Sequence, residues 1–148
     1  MAEQHTIQVD IVSAEGELFS GPATMVFAPG SEGDLGIAPR HAPLLTLLKP
    51  GEVRVQTPDS VEHVFFVGGG ALEVQPKKVT VLADTALRAK DLDEAAALAS
   101  KQRAEDALSE KVDKLTQAEA LAELSRAVAQ LKLIERLRGT VGMATNRV

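Results

Sequence analysis

Between Gly30 and Leu45 the chain reads Gly-Ser-Glu-Gly-Asp-Leu-Gly-Ile-Ala-Pro-Arg-His-Ala-Pro-Leu-Leu, and no helix can form there. Glycine at 30, 33 and 36 supplies backbone angles that other residues avoid, while Pro39 and Pro43 each remove an amide donor and fix φ. The stretch therefore reads as a shaped loop. It carries Glu32 and Asp34 on either side of Gly33 before it enters the apolar run Leu44–Leu48. Loops held on a rigid sheet are where binding surfaces concentrate. The acidic pair is therefore expected to be solvated, and functional rather than structural.

On both sides of this loop the hydrophobic pattern has the period of a β-strand. Ile7, Val9 and Ile11 alternate with polar residues, Gly16 turns the chain into a short strand around Leu18-Phe19, and Gly21-Pro22 is expected to close it. Thr24–Ala28 alternates again, with Met25 and Phe27 opposite Val26, and ends at Pro29. After Leu44–Leu48 the pair Pro50-Gly51 predicts a turn, followed by Val53 and Val55, a second turn at Pro58-Asp59, and the run Val61–Val67. Gly68-Gly69-Gly70 interrupts before Ala71–Val74, and Pro76-Lys77 turns into Val79–Ala83. Eight to ten short strands with a turn signal every 6–12 residues predict a β-sandwich or flattened barrel.

Past residue 86 the pattern changes. Asp91 followed by Glu94, and Thr116 followed by Glu119, have the spacing of helix-capping boxes. The intervening residues are rich in Ala, Glu, Lys and Arg and free of Gly and Pro. One helix is expected from Leu92 to about Leu108. After a polar connection over Ser109–Leu115, a second is expected to end at Arg138 before Gly139, with residues 140–148 frayed. A short link makes the two helices antiparallel neighbours. The fold class expected is thus α+β: a sandwich domain at 1–86 and a helical hairpin at 87–148, with the boundary near Thr85–Lys90.

The 148-residue chain carries 21 acids against 16 bases, but the charge is unevenly placed. From Arg126 onward Glu135 stands alone against Arg126, Lys132, Arg136, Arg138 and Arg147. A basic end on an acidic body suits nucleic acid or an acidic protein partner. Four Phe with no Tyr or Trp leave little to stack single-stranded bases on, so no nucleic-acid role is expected and an acidic protein segment is. There is no apolar run of the roughly 20 residues that span a bilayer, and no basic-then-apolar leader, so the chain is expected to stay on the side where it is made.

The remaining motifs argue against chemistry carried by the chain alone. Gly68-Gly69-Gly70 follows a strand but lacks the Gly-Lys-Ser/Thr and the helix of a phosphate loop, so a bulge or tight bend is expected. No cysteine is present. His5, His41 and His63 have no ligand partner at i+2 to i+4, and no Gly-x-Ser-x-Gly elbow occurs. Neither a metal nor a catalytic residue is expected.

Several phrases in one order resemble the ε-subunit family of the F-type ATP synthases of bacteria. They are Ile11-Val12-Ser13-Ala14-Glu15, Phe19-Ser20-Gly21, the stretch 31–45, which is similar to the family's SEGELGI and GHAPL, then Leu72–Pro76, Val79–Ala86, Asp91–Ala95 and Ala127–Leu131. The resemblance implies a non-catalytic rotor subunit of the central stalk. Its sandwich would seat on the γ subunit and touch the c-ring, so that membrane association runs through partners, on the cytoplasmic face of the inner membrane. It implies that Glu32 and Asp34, with His41 in the same loop, face the c-ring. It also implies that the hairpin, when extended along γ, inhibits ATP hydrolysis. Some bacterial members bind ATP on the hairpin through Ile/Leu-Asp-x-x-Arg-Ala and a later arginine. Here Asp93 and Arg103 match, but Ala96 replaces the motif arginine, and Asp93 also serves as a helix-start residue. No cofactor is therefore expected. The competing reading is a free-standing ligand-binding sandwich with a helical dimerisation hairpin, which gel filtration with and without a γ subunit separates.

At 100° per residue the second helix shows two apolar arcs. Leu121, Leu124, Val128 and Leu131 form one, and Ala122, Ala129, Leu133 and Leu137 form the other. In a simple hairpin Leu133 and Leu137 are expected to be exposed. They would serve, with Arg126, Lys132, Arg136 and Arg138, as the surface that meets γ and an acidic segment of the α/β catalytic subunits in an extended state.

Overall fold

The structure is a computed structural model that describes residues 5–110 and 113–146, with the backbone alone beyond Gly139. The chain divides into two compact units, Met1–Arg88 and Ala89–Val148.

The first unit is built from eight strands among the described residues: β1 (Ile7–Ser13), β2 (Gly16–Ala23), β3 (Met25–Gly30), β4 (Gly33–Ile37), β5 (Leu44–Gln56), β6 (Glu62–Val74), β7 (Lys78–Ala83) and β8 (Ala86–Arg88). They join in the order β2-β1-β7-β6-β5-β3-β4, with β8 also on β6. All pairings are antiparallel except β1 with β7. The two 13-residue strands β5 and β6 serve both layers. The C-terminal half of β6 pairs with β7, while Phe65–Val67 in its N-terminal half pair with β8. The inward residues of both layers, among them Ile7, Val9, Ile11, Val26, Ile37, Val53, Val55, Leu72, Val74, Val79 and Val81, form one buried cluster. Phe19 of β2 packs against this cluster, edge-on to its member Phe65 of β6 with ring centroids 5.9 Å apart, and Arg88 donates to the Leu18 carbonyl at 2.8 Å. These contacts draw the sandwich towards a flattened barrel.

Several expected boundaries fall elsewhere. Pro50-Gly51 does not turn the chain: β5 runs through it, with Pro50 opposite Gly68 on β6. Its missing donor is tolerated beside the register shift between Phe27 and Gly30 of the neighbouring strand. The glycine run bends β6 without ending it. Gly70 has φ +136, and a Cβ there would lie 2.1 Å from the Leu82 carbonyl oxygen, so only glycine lets β6 pass that close to β7. Gly21-Pro22 stays within β2, which ends at Ala23. Residues 86–88, which lie across the boundary expected near Thr85–Lys90, form strand β8, because Ala86, Leu87 and Arg88 pair with Val67, Phe66 and Phe65.

The second unit holds a 3₁₀ turn (Ala89–Asp91), helix α1 (Glu94–Ser109) and helix α2 (Lys114–Asn146). Asp93, not Asp91, caps α1: its carboxylate accepts from the Ala96 amide at 3.2 Å. Asp113, not Thr116, does the same for α2, accepting from the Thr116 amide at 2.8 Å. Lys111 and Val112 of the expected connection lie outside the described residues. Gly139 does not stop α2, whose backbone continues to Asn146. A single Gly costs only about 1 kcal/mol inside a helix and ends one where it takes the left-handed conformation itself, which Gly139 does not. Of the segment expected to fray, the side chains of 140–146 and all of Arg147 and Val148 lie outside the described residues.

Candidate functional site

The stretch expected to be one loop is a β-hairpin followed by a second, separately anchored turn. Register pairs run from Val26 with Ile37 to Gly30 with Gly33, so Ser31 and Glu32 alone make the turn and Asp34 already sits on β4 opposite Pro29. The tip is fastened to β5 by the Ser31 amide on the Leu47 carbonyl at 2.8 Å. Gly30 is required there, since a Cβ would come within 2.7 Å of the Gly33 carbonyl oxygen. Glu32 and Asp34 are exposed, and neither has an ion-pair or hydrogen-bond partner for its side chain among the described residues. His41 is half-buried, its Nδ1 lying 2.7 Å from the Ala42 carbonyl oxygen, the geometry of an Nδ1–H donor. Its turn is tied to the β6–β7 connection by the Arg40 amide on the Pro76 carbonyl at 3.0 Å. The acidic tip and His41 thus belong to two anchored segments, not to one loop.

A second surface on the same unit was missed by sequence reasoning. Leu47 on β5 stands opposite Ala71 on β6, Ala71 opposite Leu82 on β7, and Leu82 opposite Val12 on β1. This row crosses four strands on the outward face. Leu45, Leu47 and Leu82 are 76%, 66% and 53% exposed. The signal was present in the sequence. Leu44–Leu48 and Val81–Ala83 are apolar at consecutive positions, and a strand whose outer face meets only water alternates instead. An apolar row of this kind marks a docking surface.

In the helical unit the buried seam is mostly alanine: Ala97 and Ala104 on α1, Ala120 and Ala127 on α2, each pair seven residues apart, followed by Leu133. Small side chains at that spacing let two helices pack at the close end of the usual 8–10 Å range. Leu133 is only 4% exposed and Leu137 is half-buried, which corrects the expectation that both would lie open. The helical-wheel reading placed neither Ala120 nor Ala127 in an arc, and these buried alanines set the rotation of α2. Leu121, from the arc expected to pack, is 52% exposed.

Polar clasps join the two helices in antiparallel sense. The Ser100 hydroxyl donates to Glu123 Oε1 at 2.9 Å, and Arg103 donates to both Ser100 Oγ at 3.1 Å and Glu123 Oε1 at 3.3 Å. Arg138 pairs with Glu94. Arg103, expected as the later arginine of a nucleotide site, is therefore engaged across the hairpin, and the Asp93 carboxylate is engaged on the Ala96 amide. Arg126 is half-buried on α2, and Lys132 and Arg136 are exposed. Among the described residues no three His, Asp or Glu side chains gather as metal ligands, and His63 stacks on Phe19 with ring centroids 5.2 Å apart. No helix among them is long and apolar enough to cross a membrane.

Three carboxylates have acidities shifted by their surroundings. Asp10 is held below the usual range first by the Gln8 side-chain amide and then by Lys78 at 3.0 Å, with burial opposing and the Ser20 hydroxyl adding a lesser lowering. Asp113 is lowered mainly by the Thr116 amide and hydroxyl, and Asp59 mainly by the Thr57 hydroxyl.

An exposed apolar row and an acidic tip, with no cluster of metal-ligating side chains among the described residues, are what a subunit of a larger assembly would present. The comparisons with known proteins specify the assembly. The family model "ATP synthase, Delta/Epsilon chain, beta-sandwich domain" matches residues 6–89, and "ATP synthase, Delta/Epsilon chain, long alpha-helix domain" matches residues 90–135. The chain is 62% identical over 137 residues to the ATP synthase epsilon chain of Nitrosococcus oceani, covering 93% of this chain and 98% of that protein. It is 61% identical over 135 residues to that of Halorhodospira halophila, covering 90% and 95%. A chain in the Euglena gracilis mitochondrial ATP synthase structure shares the fold, with TM-score 0.74 at 17% identity over 84% of this chain and 78% of that one. The chain belongs to the delta/epsilon chain family of ATP synthase. Its curated relatives are epsilon chains, non-catalytic subunits of that complex, so the free-standing ligand-binding module is not favoured.

Proposed function

We propose that the chain works in the central stalk as a rotor subunit, and that its three surfaces have three different partners within the synthase. The outward row of Leu47, Ala71 and Leu82, with Leu45 beside it, seats on the γ subunit. This exposed apolar face is the observation that carries the reading, since it is stable in water only at a cost that a partner removes. The hairpin tip at Glu32 and Asp34, with the turn at His41, meets the polar loops of the c-ring. Membrane association then runs through partners, at the cytoplasmic face of a bacterial inner membrane.

The helical unit regulates. Its clasps, Arg138 on Glu94 and Arg103 on Glu123, are exposed ion pairs of the kind that contribute about 0–1 kcal/mol each, so the cost of opening lies mainly in uncovering the alanine and Leu133 seam, which a new partner can cover again. An extended α2 would present Leu133, Leu137 and the basic side chains Arg126, Lys132, Arg136 and Arg138 to γ and an acidic α/β segment, and block hydrolysis. ATP binding by the closed hairpin is weak at best, because Asp93 and Arg103 already have partners and Ala96 offers no cation.

Reconstitution of a synthase lacking this subunit tests the reading, comparing the full chain with one that ends at Arg88. The full chain should lower ATP hydrolysis, by less at high salt, and the shortened one should support synthesis without that inhibition. Equal hydrolysis by the two at low and at high salt would leave the hairpin as a clasp only. Failure of the shortened chain to assemble would remove the sheet unit as the docking element.

A further inference from the structure

At one end of the sheet unit, away from the apolar row, a notch of about 720 Å³ opens between the start of β1, the segment after β4 and the β6–β7 turn. Its polar lining is His5, Thr6, Gln8, Arg40 and Lys77, and no acid lines it among the described residues. In a chain of net charge −5, a concave site whose fixed charges among the described residues are all cationic is a departure from the average surface. Arg40 and Lys77 are exposed and have no ion-pair partner for their side chains among the described residues. Asp10 is bonded to Gln8 Nε2 at 3.0 Å, but Lys78 neutralises it at 3.0 Å.

The backbone adds a second, independent observation. Arg40 adopts φ +66, the left-handed region that a residue with a Cβ rarely occupies. It is held there by its own amide on the Pro76 carbonyl and by the His41 amide on the Ala38 carbonyl at 3.2 Å. Pro39 and Pro76 wall the notch and restrict the backbone beside Arg40 and Lys77. The cations are thus presented on a frame already fixed, which lowers the ordering cost of binding.

We infer that this notch binds a phosphate group, with Arg40 and Lys77 as the charge partners and the His5 ring and Thr6 hydroxyl beside them, while the Gln8 amide is held by Asp10 and Ser20. A planar guanidinium takes two phosphate oxygens at once and an ammonium supplies a point charge. The volume exceeds that of a free phosphate ion and admits a phosphate carried on a larger molecule, so free phosphate and the phosphodiester of an anionic phospholipid are both possible sources. This inference does not rest on the stalk reading, because the notch can be tested on the chain alone.

The experiment uses the full chain, isotopically labelled for amide NMR, with two probes. Inorganic phosphate titrated to about 10 mM, enough to reveal millimolar affinity, should shift amides around residues 5, 40 and 77 while sodium chloride at equal ionic strength does not. Vesicles of phosphatidylglycerol, set against phosphatidylcholine, should carry the chain down on sedimentation if the headgroup is the source. The double variant Arg40→Gly/Lys77→Gln should weaken whichever response is seen by about tenfold or more. Its melting temperature should not fall, since glycine suits the left-handed position. A response in either arm that the variant loses supports the site and names its source. No response in both arms, a response the variant keeps, or binding of an acidic peptide with neither phosphate nor vesicles would overturn it.

Discussion

Replacing Leu45, Leu47 and Leu82 together by serine tests the docking face directly. The three side chains are 76%, 66% and 53% exposed, so a partner that covered them fully would bury about two leucines' worth of apolar surface. At about 1.5–3 kcal/mol for each full leucine burial, the row contributes about 3–6 kcal/mol to association. That is roughly a hundred- to ten-thousandfold in affinity at 1.4 kcal/mol per decade. The folded chain should hardly register the change, because residues so exposed make few core contacts, and surface substitutions stay within about 0.5 kcal/mol. The assay is titration of wild-type and variant chains into a synthase catalytic head stripped of this subunit, with binding followed by surface plasmon resonance and folding by thermal melts. A variant that melts like wild type and binds γ-containing complexes with unchanged affinity would refute the argument, and with it the assignment of that face to γ.

Charge reversal at the hairpin tip, Glu32→Lys with Asp34→Lys, should leave the melting temperature within a few degrees while reducing coupling of rotation to proton movement. Unchanged proton pumping in membranes would count against the tip as a c-ring contact. Gly70→Ala should cost about 3–5 kcal/mol, combining left-handed strain with a collision against the Leu82 carbonyl; a urea midpoint close to wild type would show that β6 and β7 can separate. Ala96→Arg should tighten ATP binding by about ten- to hundredfold if the remaining groups can turn to it, as calorimetry on the two chains would read. Acid should destabilise the fold with a defined sign. Asp10, Asp59 and Asp113 have folded pKa values shifted downward, so their contribution is fully present above the unfolded value of about 3.9 and fades as pH falls through the lower folded values. Asp113→Asn should flatten that part of the pH–stability curve for the helical unit, and an unaltered curve would exclude the cap as its source.

The sequence determined whatever depends on local periodicity and on steric limits. Ile7, Val9 and Ile11 specified β1 and its buried face, and the glycines and prolines of 30–45 excluded a helix there. The switch from period two to a long Gly-free run separated sheet from hairpin. Two acids around Gly33 were legible as an exposed pair for the same reason. Tertiary structure decided what depends on the partner of each strand and helix. Pro50-Gly51 is a turn signal only if no neighbour straightens it, and pairing of β5 with β6 carries the strand through. Ala86–Arg88 carry no strand signal and become one because the open side of Phe65–Val67 accepts them. On α2 the hydrophobic scale ranked leucine above alanine. Yet close approach to α1 favours the smallest side chains, so Ala120 and Ala127 are buried while Leu121 faces water. The notch of His5, Arg40 and Lys77 could not be read at all from spacing. Three residues scattered over 73 positions meet only because β1, β4 and the β6–β7 turn end at the same edge of the sheet.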